Sequence, residues 1–174
     1  MKTIKPRQVV KTGDIIAIQL TDGRYAFGLQ AGSKTAIYSI TSEDKDSPPV
    51  GHRVFLFATG IYKDVISNPG WPKVGRDIVT HDEVEFISQG YVFNGEFNLY
   101  SPFTEGCMTP ATKDECVGLE AVAAWDAEQI IERIECSLRG ERSDWLKSEP
   151  WVPFALDLSD ISCFKRISLG EAIK

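Results

Sequence analysis

No stretch of this sequence stays apolar long enough to cross a bilayer. Its longest apolar runs, such as residues 54–58, reach about five residues, where roughly 20 are needed. Residues 1–7 carry positive charge with no apolar stretch behind them, so no secretory signal is read there and a cytoplasmic location is expected. Cysteine is sparse: Cys107, Cys116, Cys136 and Cys163 include no C-x-x-C pair, which argues against a zinc site or a disulfide scaffold. The two histidines, His52 and His81, lie in no metal-ligand spacing. There is no G-x-G-x-x-G, no P-loop and no G-x-S-x-G. No metal, cofactor or catalytic residue is therefore expected. Basic charge is also in deficit, with 19 Lys and Arg against 25 Asp and Glu and a net charge of −6. That balance disfavours direct nucleic-acid binding, which needs clustered Lys and Arg on phosphates.

What is present is enough for a packed core: 174 residues, 43% of them hydrophobic. The charge is unevenly spread. Residues 77–135 hold thirteen acids against two bases, Lys113 and Arg133, and so carry −11, while the rest of the chain carries +5. Concentrated charge of one sign serves solubility or the steering of an oppositely charged partner.

The first hundred residues read as short strands. Residues 14–20 and 24–30 flank Thr21-Asp22-Gly23, and Asp-Gly supplies the positive φ angles of a tight hairpin. In the second of these strands Tyr25, Phe27 and Leu29 alternate with small or polar residues and define a core face. Residues 35–40 complete a meander, and residues 41–52, with Pro48-Pro49, read as an exposed loop. Residues 53–59 form the most apolar strand. It is expected to continue past a bend or bulge at Gly60 to residue 66. Extended structure resumes at residues 73–79, and Asn94-Gly95 marks a hairpin between residues 91–93 and 97–100.

After Pro102 the period changes. Thr112-x-x-Glu115 matches a capping box, Thr109-Pro110 offers another start, and Gly140 suits a left-handed cap. Leu119, Ala123, Ala127, Ile130, Ile131, Ile134 and Leu138 fall within about 120° of arc, which predicts one amphipathic helix of about 20 to 27 residues. Val152, Phe154, Leu156 and Leu158 alternate as a strand that Pro153 confines to an edge, and Ser159-Asp160 offers a cap for a short helix through Ile167. The expected fold is α+β: a mostly antiparallel SH3-like barrel or bent sheet over residues 1–105, then the long helix and a short β/α tail over 106–174, packed as one unit.

Residues 11–28 (KTGDIIAIQLTDGRYAFG), Phe55-Leu56-Phe57 and residues 70–75 (GWPKVG) together resemble, in order and spacing, the immunity protein 26 family. The likeness covers roughly residues 11–85 and leaves the C-terminal half outside it. It implies a small bacterial protein of polymorphic-toxin or contact-dependent growth inhibition systems that neutralises a cognate toxin by stoichiometric binding, without catalysis. Such toxins are commonly nucleases with basic clefts, so the implied partner is a basic toxin protein. The competing expectation is a non-catalytic SH3-like regulatory module for a peptide or nucleic acid.

On the expected helix Asp114, Glu128, Glu132 and Glu135 share about 60° of arc, with Trp125 beside Glu132 and nearly opposite the apolar stripe. Two readings of Trp125 stand: an exposed anchor ringed by carboxylates, facing a basic partner, or a residue buried by the tail or the β region. Asp82, Glu83 and Glu85 form a second acidic group on an expected loop or strand edge, also a candidate partner contact. His81-Asp82-Glu83 suggests acid–base chemistry only weakly, because adjacent residues rarely face one another in an active site. Trp71 reads as a structural plug.

Overall fold

A computed structural model describes residues 6–146 and 154–173. The meander is there: β1 (Asp14–Gln19), β2 (Tyr25–Ala31) and β3 (Lys34–Tyr38) pair antiparallel in sequence. β4 (Val54–Ile61) follows on β3, and β5 (Lys73–Arg76) closes the far edge against β1. Near the C-terminus β11 (Phe154–Asp157) pairs with β4, and β12 (Lys165–Ser168) pairs with β11. The resulting order is β12-β11-β4-β3-β2-β1-β5, an open path rather than a closed barrel, with β10 (Ala124–Trp125) joined in parallel to the end of β4.

This sheet is buried on both faces, which explains why β1, β3 and β4 read as near-continuous apolar runs. Ile16, Ile18, Ile37, Phe57 and Trp71 pack on one side with Ile130 and Ile134 of α3 (Ala127–Leu138). Phe27, Leu29, Tyr38 and Phe55 pack on the other with Ile87 of α2 (His81–Ser88). Phe55 and Phe57 separate because the β3–β4 register skips Leu56: Ile37 faces Phe57 and Tyr38 faces Phe55. The bulge therefore lies at Leu56, four residues before the expected place. Gly60 serves a close approach instead, since a Cβ there would stand 2.5 Å from the Ala123 carbonyl.

A second, four-stranded sheet runs β8-β7-β6-β9. It comprises the Asn94-Gly95 hairpin, β6 (Gly90–Phe93) with β7 (Phe97–Tyr100), extended by β8 (Met108–Pro110) and by the parallel β9 (Glu120–Ala121). Strands from both sides of residue 105 thus contribute to both sheets.

The single long helix is not formed. Thr112 does engage Glu115, whose carboxylate accepts from the Thr112 amide at 2.7 Å, but only one 3-10 turn (Asp114–Cys116) follows. Gly118 then turns with φ +84°, where a Cβ would stand 2.8 Å from the Phe154 ring. Residues beyond it are used as β9 and β10, which bridge the two sheets. The longest helix is the 12-residue α3, started by an Asp126–Gln129 capping box. Its C-terminus has the left-handed cap expected at Gly140, with φ +71°, and the Glu141 and Gly140 amides donate to the Cys136 and Ser137 carbonyls in a Schellman arrangement.

Other expectations also give way. Residues 63–66 form a helical turn, α1 (Lys63–Ile66), rather than continued strand. Residues 82–85 lie in α2, capped by Thr80 and Glu83, rather than in a loop or strand edge. β11 lies inside the sheet between β4 and β12, and Ser159-Asp160 precede β12 rather than a helix. The last helix, α4 (Leu169–Ala172), begins after Ser168. Val152 and Pro153 lie outside the described residues, as do residues 1–5. Among the described residues no helix is long and apolar enough to cross a membrane.

Candidate functional site

The acids singled out from the sequence divide by their partners. Glu135 accepts from the amide and hydroxyl of Thr21 at 2.7 and 2.6 Å and so ties α3 to the β1–β2 turn. Glu132 accepts from the Ser143 hydroxyl, the Asp144 amide and the Cys136 thiol. Glu83 is buried in its capping box and lies 3.6 Å from Arg53. These three carboxylates are engaged within the fold. Asp82, Glu85, Asp114 and Glu128 are exposed.

Trp125 is 9% exposed and belongs to the main core. It precedes α3 in β10, so the helical arc that placed it beside Glu132 does not exist. Of the two readings, burial is the one the structure has. Trp125 and Phe57 instead flank Arg133, whose guanidinium carbon lies 3.9 Å from the Phe57 ring centre and 5.5 Å from that of Trp125. Arg133 is 0% exposed and ion-paired to Glu120. One of the two bases in the acidic segment is therefore internal, and Glu120 cancels its charge. Arg133 has a sequence signal: it falls on the Ile130–Ile134 face of the helix.

Exposed apolar side chains gather on the second sheet and its connections. Phe93, Phe103, Met108, Val117 and Val122 are all exposed, Phe93 to 60%. Around them stand exposed Glu96, Glu105, Asp114 and Glu115. The pairing register puts Phe93 with Phe97 on one face of this sheet and Met108 with Tyr100 on the other, so the unit offers apolar groups on both of its faces. Phe93 packs on Phe97 with ring centres 4.7 Å apart, and Phe103 meets His81 edge-on at 5.2 Å. Aromatic and Met side chains presented to solvent are the composition of an interface rather than of an idle surface. Sequence reasoning overlooked them because hairpin alternation does not tell which face a partner layer covers.

A cleft of about 480 Å³ opens between this sheet, α2 and β12. Arg166 of β12 lines it, stacked on Phe86 at 4.6 Å, together with Glu85, Glu115, Leu99, Val117 and Leu119. Beneath Gln89 and Gly90 of its lining lies Lys34, 6% exposed, whose Nζ donates to the Gln89 carbonyl at 2.9 Å. Burial pulls the Lys34 ammonium down to about 8; Glu120 opposes this, while Arg166 and Arg133 add to it. Burial likewise lowers Arg166, with Glu120 again opposing. One carboxylate thus serves three desolvated cations.

Elsewhere Asp77 gathers Tyr38, Gly51, Ile78 and Arg53 at 2.8–3.4 Å, a knot that joins β3 to the loops on that side of the sheet. Burial raises the Asp77 carboxyl, but the Gly51 and Ile78 amides and Arg53 outweigh it, and the group lies below the usual range. His81, Asp82 and Glu85 bring ligand atoms within 4.8 Å of one another, but all three are exposed. Comparison with protein families, curated proteins and solved structures finds no match.

Proposed function

We propose that this protein is an immunity-type inhibitor that neutralises a basic bacterial toxin, of the nuclease class, by stoichiometric binding in the cytoplasm. The observation that carries the reading is the second sheet, where exposed Phe93, Phe103, Met108, Val117 and Val122 stand among exposed carboxylates. Apolar groups there supply contact area, and the carboxylates steer and orient a partner rich in Arg and Lys. The N-terminal resemblance to immunity protein 26 supports the same class of activity. Of the acids expected on one long helix, Glu128 of α3 and Asp114 of the 3-10 turn remain exposed; Glu132 and Glu135 work as fold contacts, and Trp125 is taken out of the surface.

The test is co-expression with the toxin encoded beside it. A complex of defined stoichiometry should be recovered. Phe103→Ser combined with Met108→Ser should leave the fold intact and abolish protection, because losing such contacts costs about 2 kcal/mol or more each. Full protection by that variant would remove the second sheet from the interface, and the absence of any lethal neighbour or complex would remove the immunity reading altogether.

A further inference from the structure

The cleft between the second sheet and β12 is built unlike the acidic surface around it. Among the described residues the Arg166 guanidinium has no hydrogen-bond or ion-pair partner, and its carbon lies 4.6 Å from the centre of the Phe86 ring. It is half-buried, so it has lost much of its water without gaining a counter-charge, an arrangement that costs free energy unless something enters to pair it. The charge behind it does not close the gap. Among the described residues Glu120 is the carboxylate that acts on both Lys34 and Arg166, and it is already ion-paired to Arg133. Lys34 uses one of its three N–H groups on the Gln89 carbonyl. Lys34 itself is sealed behind Gly90, whose missing Cβ would fall 2.7 Å from the Glu120 carbonyl and 3.4 Å from Nζ, and it adds charge beneath the floor without reaching the cleft.

The lining grades from floor to rim. Arg166, Leu99 and Leu119 are half-buried, whereas Glu85, Glu115 and Val117 are exposed. Glu115 is held in place by the Thr112 amide and hydroxyl, which accounts for one of its oxygens and leaves the other open. The cleft therefore has a cationic floor, apolar walls and an anionic rim, and about 480 Å³ suits a small molecule.

The geometry points to a binding site for a small zwitterion of the amino-acid type, with its carboxylate on Arg166 over Lys34, its ammonium at Glu85 and Glu115, and an apolar side chain against Leu99, Val117 and Leu119. A planar guanidinium receives a carboxylate through two parallel hydrogen bonds. A multiply charged phosphate is disfavoured because the two rim carboxylates repel it. This site does not depend on toxin neutralisation and stands or falls separately from it.

The test uses the full-length protein and three probes: leucine, 4-methylpentanoate, which lacks the ammonium, and isoamylamine, which lacks the carboxylate. In an amide NMR titration at millimolar concentration, leucine should shift Gly90, Ser101 and Leu119, and each analogue should bind about tenfold more weakly. Arg166→Gln should equalise leucine and isoamylamine, and Glu85→Gln with Glu115→Gln should equalise leucine and 4-methylpentanoate. Should Arg166→Gln fail to fold, the wild-type analogue series still decides. No shift at these residues, or analogues that bind the wild type as well as leucine does, would overturn the proposal.

Discussion

Lys34 sits in strand β3 with its ammonium nearly sealed from solvent, and its titration makes stability depend on pH. Its folded value near 8 lies below the ordinary 10.5 of an exposed lysine, so between those values the unfolded chain holds more protons and stability rises with pH. The gain is up to about 3 kcal/mol. Tyr38, held above the usual phenol range by burial and the nearby Asp77 carboxylate, acts in the opposite sense only above about pH 10. The Cys136 thiol, raised to about 11, opposes the rise above about pH 9, so the check is the stability difference between wild type and Lys34→Met in urea unfolding, which should grow in favour of the wild type between about pH 7 and 10. Thiol reactivity gives a second check at single residues. Cys107 and Cys163 are exposed, whereas Cys116 and Cys136 are buried. The Cys136 thiol is pushed up to about 11 by burial first and by its bond to Glu132 second. Native protein should therefore titrate two thiols rapidly and two only on unfolding, and a fast third thiol would contradict the burial of Cys116 or Cys136.

The elements differ in how plainly their residues announced them. The β1–β2–β3 meander, the Asn94-Gly95 hairpin and the Gly140 cap were legible because each is written in local turn chemistry: a positive-φ glycine between alternating or periodic runs. The acidic character of residues 77–135 was legible too, being a matter of counting. The long helix was misread because a 3.6-residue period tests only the chain's own pattern. Whether residues 120–121 and 124–125 find strand partners is decided by β6 and β4, distant in sequence. The cleft was illegible for the same reason: Arg166 and Lys34 are 132 positions apart and are brought together on strands β12 and β3 of one sheet. Two substitutions test these junctions. Gly60→Ala drives a Cβ into the Ala123 carbonyl and should cost about 1–3 kcal/mol by forcing β10 off β4. Gly140→Ala asks alanine to hold φ +71° and should cost about 1 kcal/mol, with α3 fraying first in hydrogen exchange.

At the scale of the whole molecule, charge is sorted by depth. Eight of the thirteen acids of residues 77–135 are exposed, while Arg133, one of its two bases, is internal. The exposed groups of this segment, eight acids against Lys113, still present a strongly negative field to an approaching protein, and capture of a basic partner should slow by a decade or more as salt is raised from low to physiological strength. Stopped-flow association at several ionic strengths checks this, and a salt-independent rate would leave solubility as the use of the charge. The sheet order bears on the life of the chain as well. Strand β4 receives its neighbour β11 only from residues 154–157. A ribosome making this protein must therefore hold an incomplete sheet, its border covered by β10 only at Gly60 and Ile61, until residues 154–157 emerge. A prematurely terminated product would keep that border open to other chains, and would be a substrate for quality-control proteolysis rather than a weakened copy of the whole.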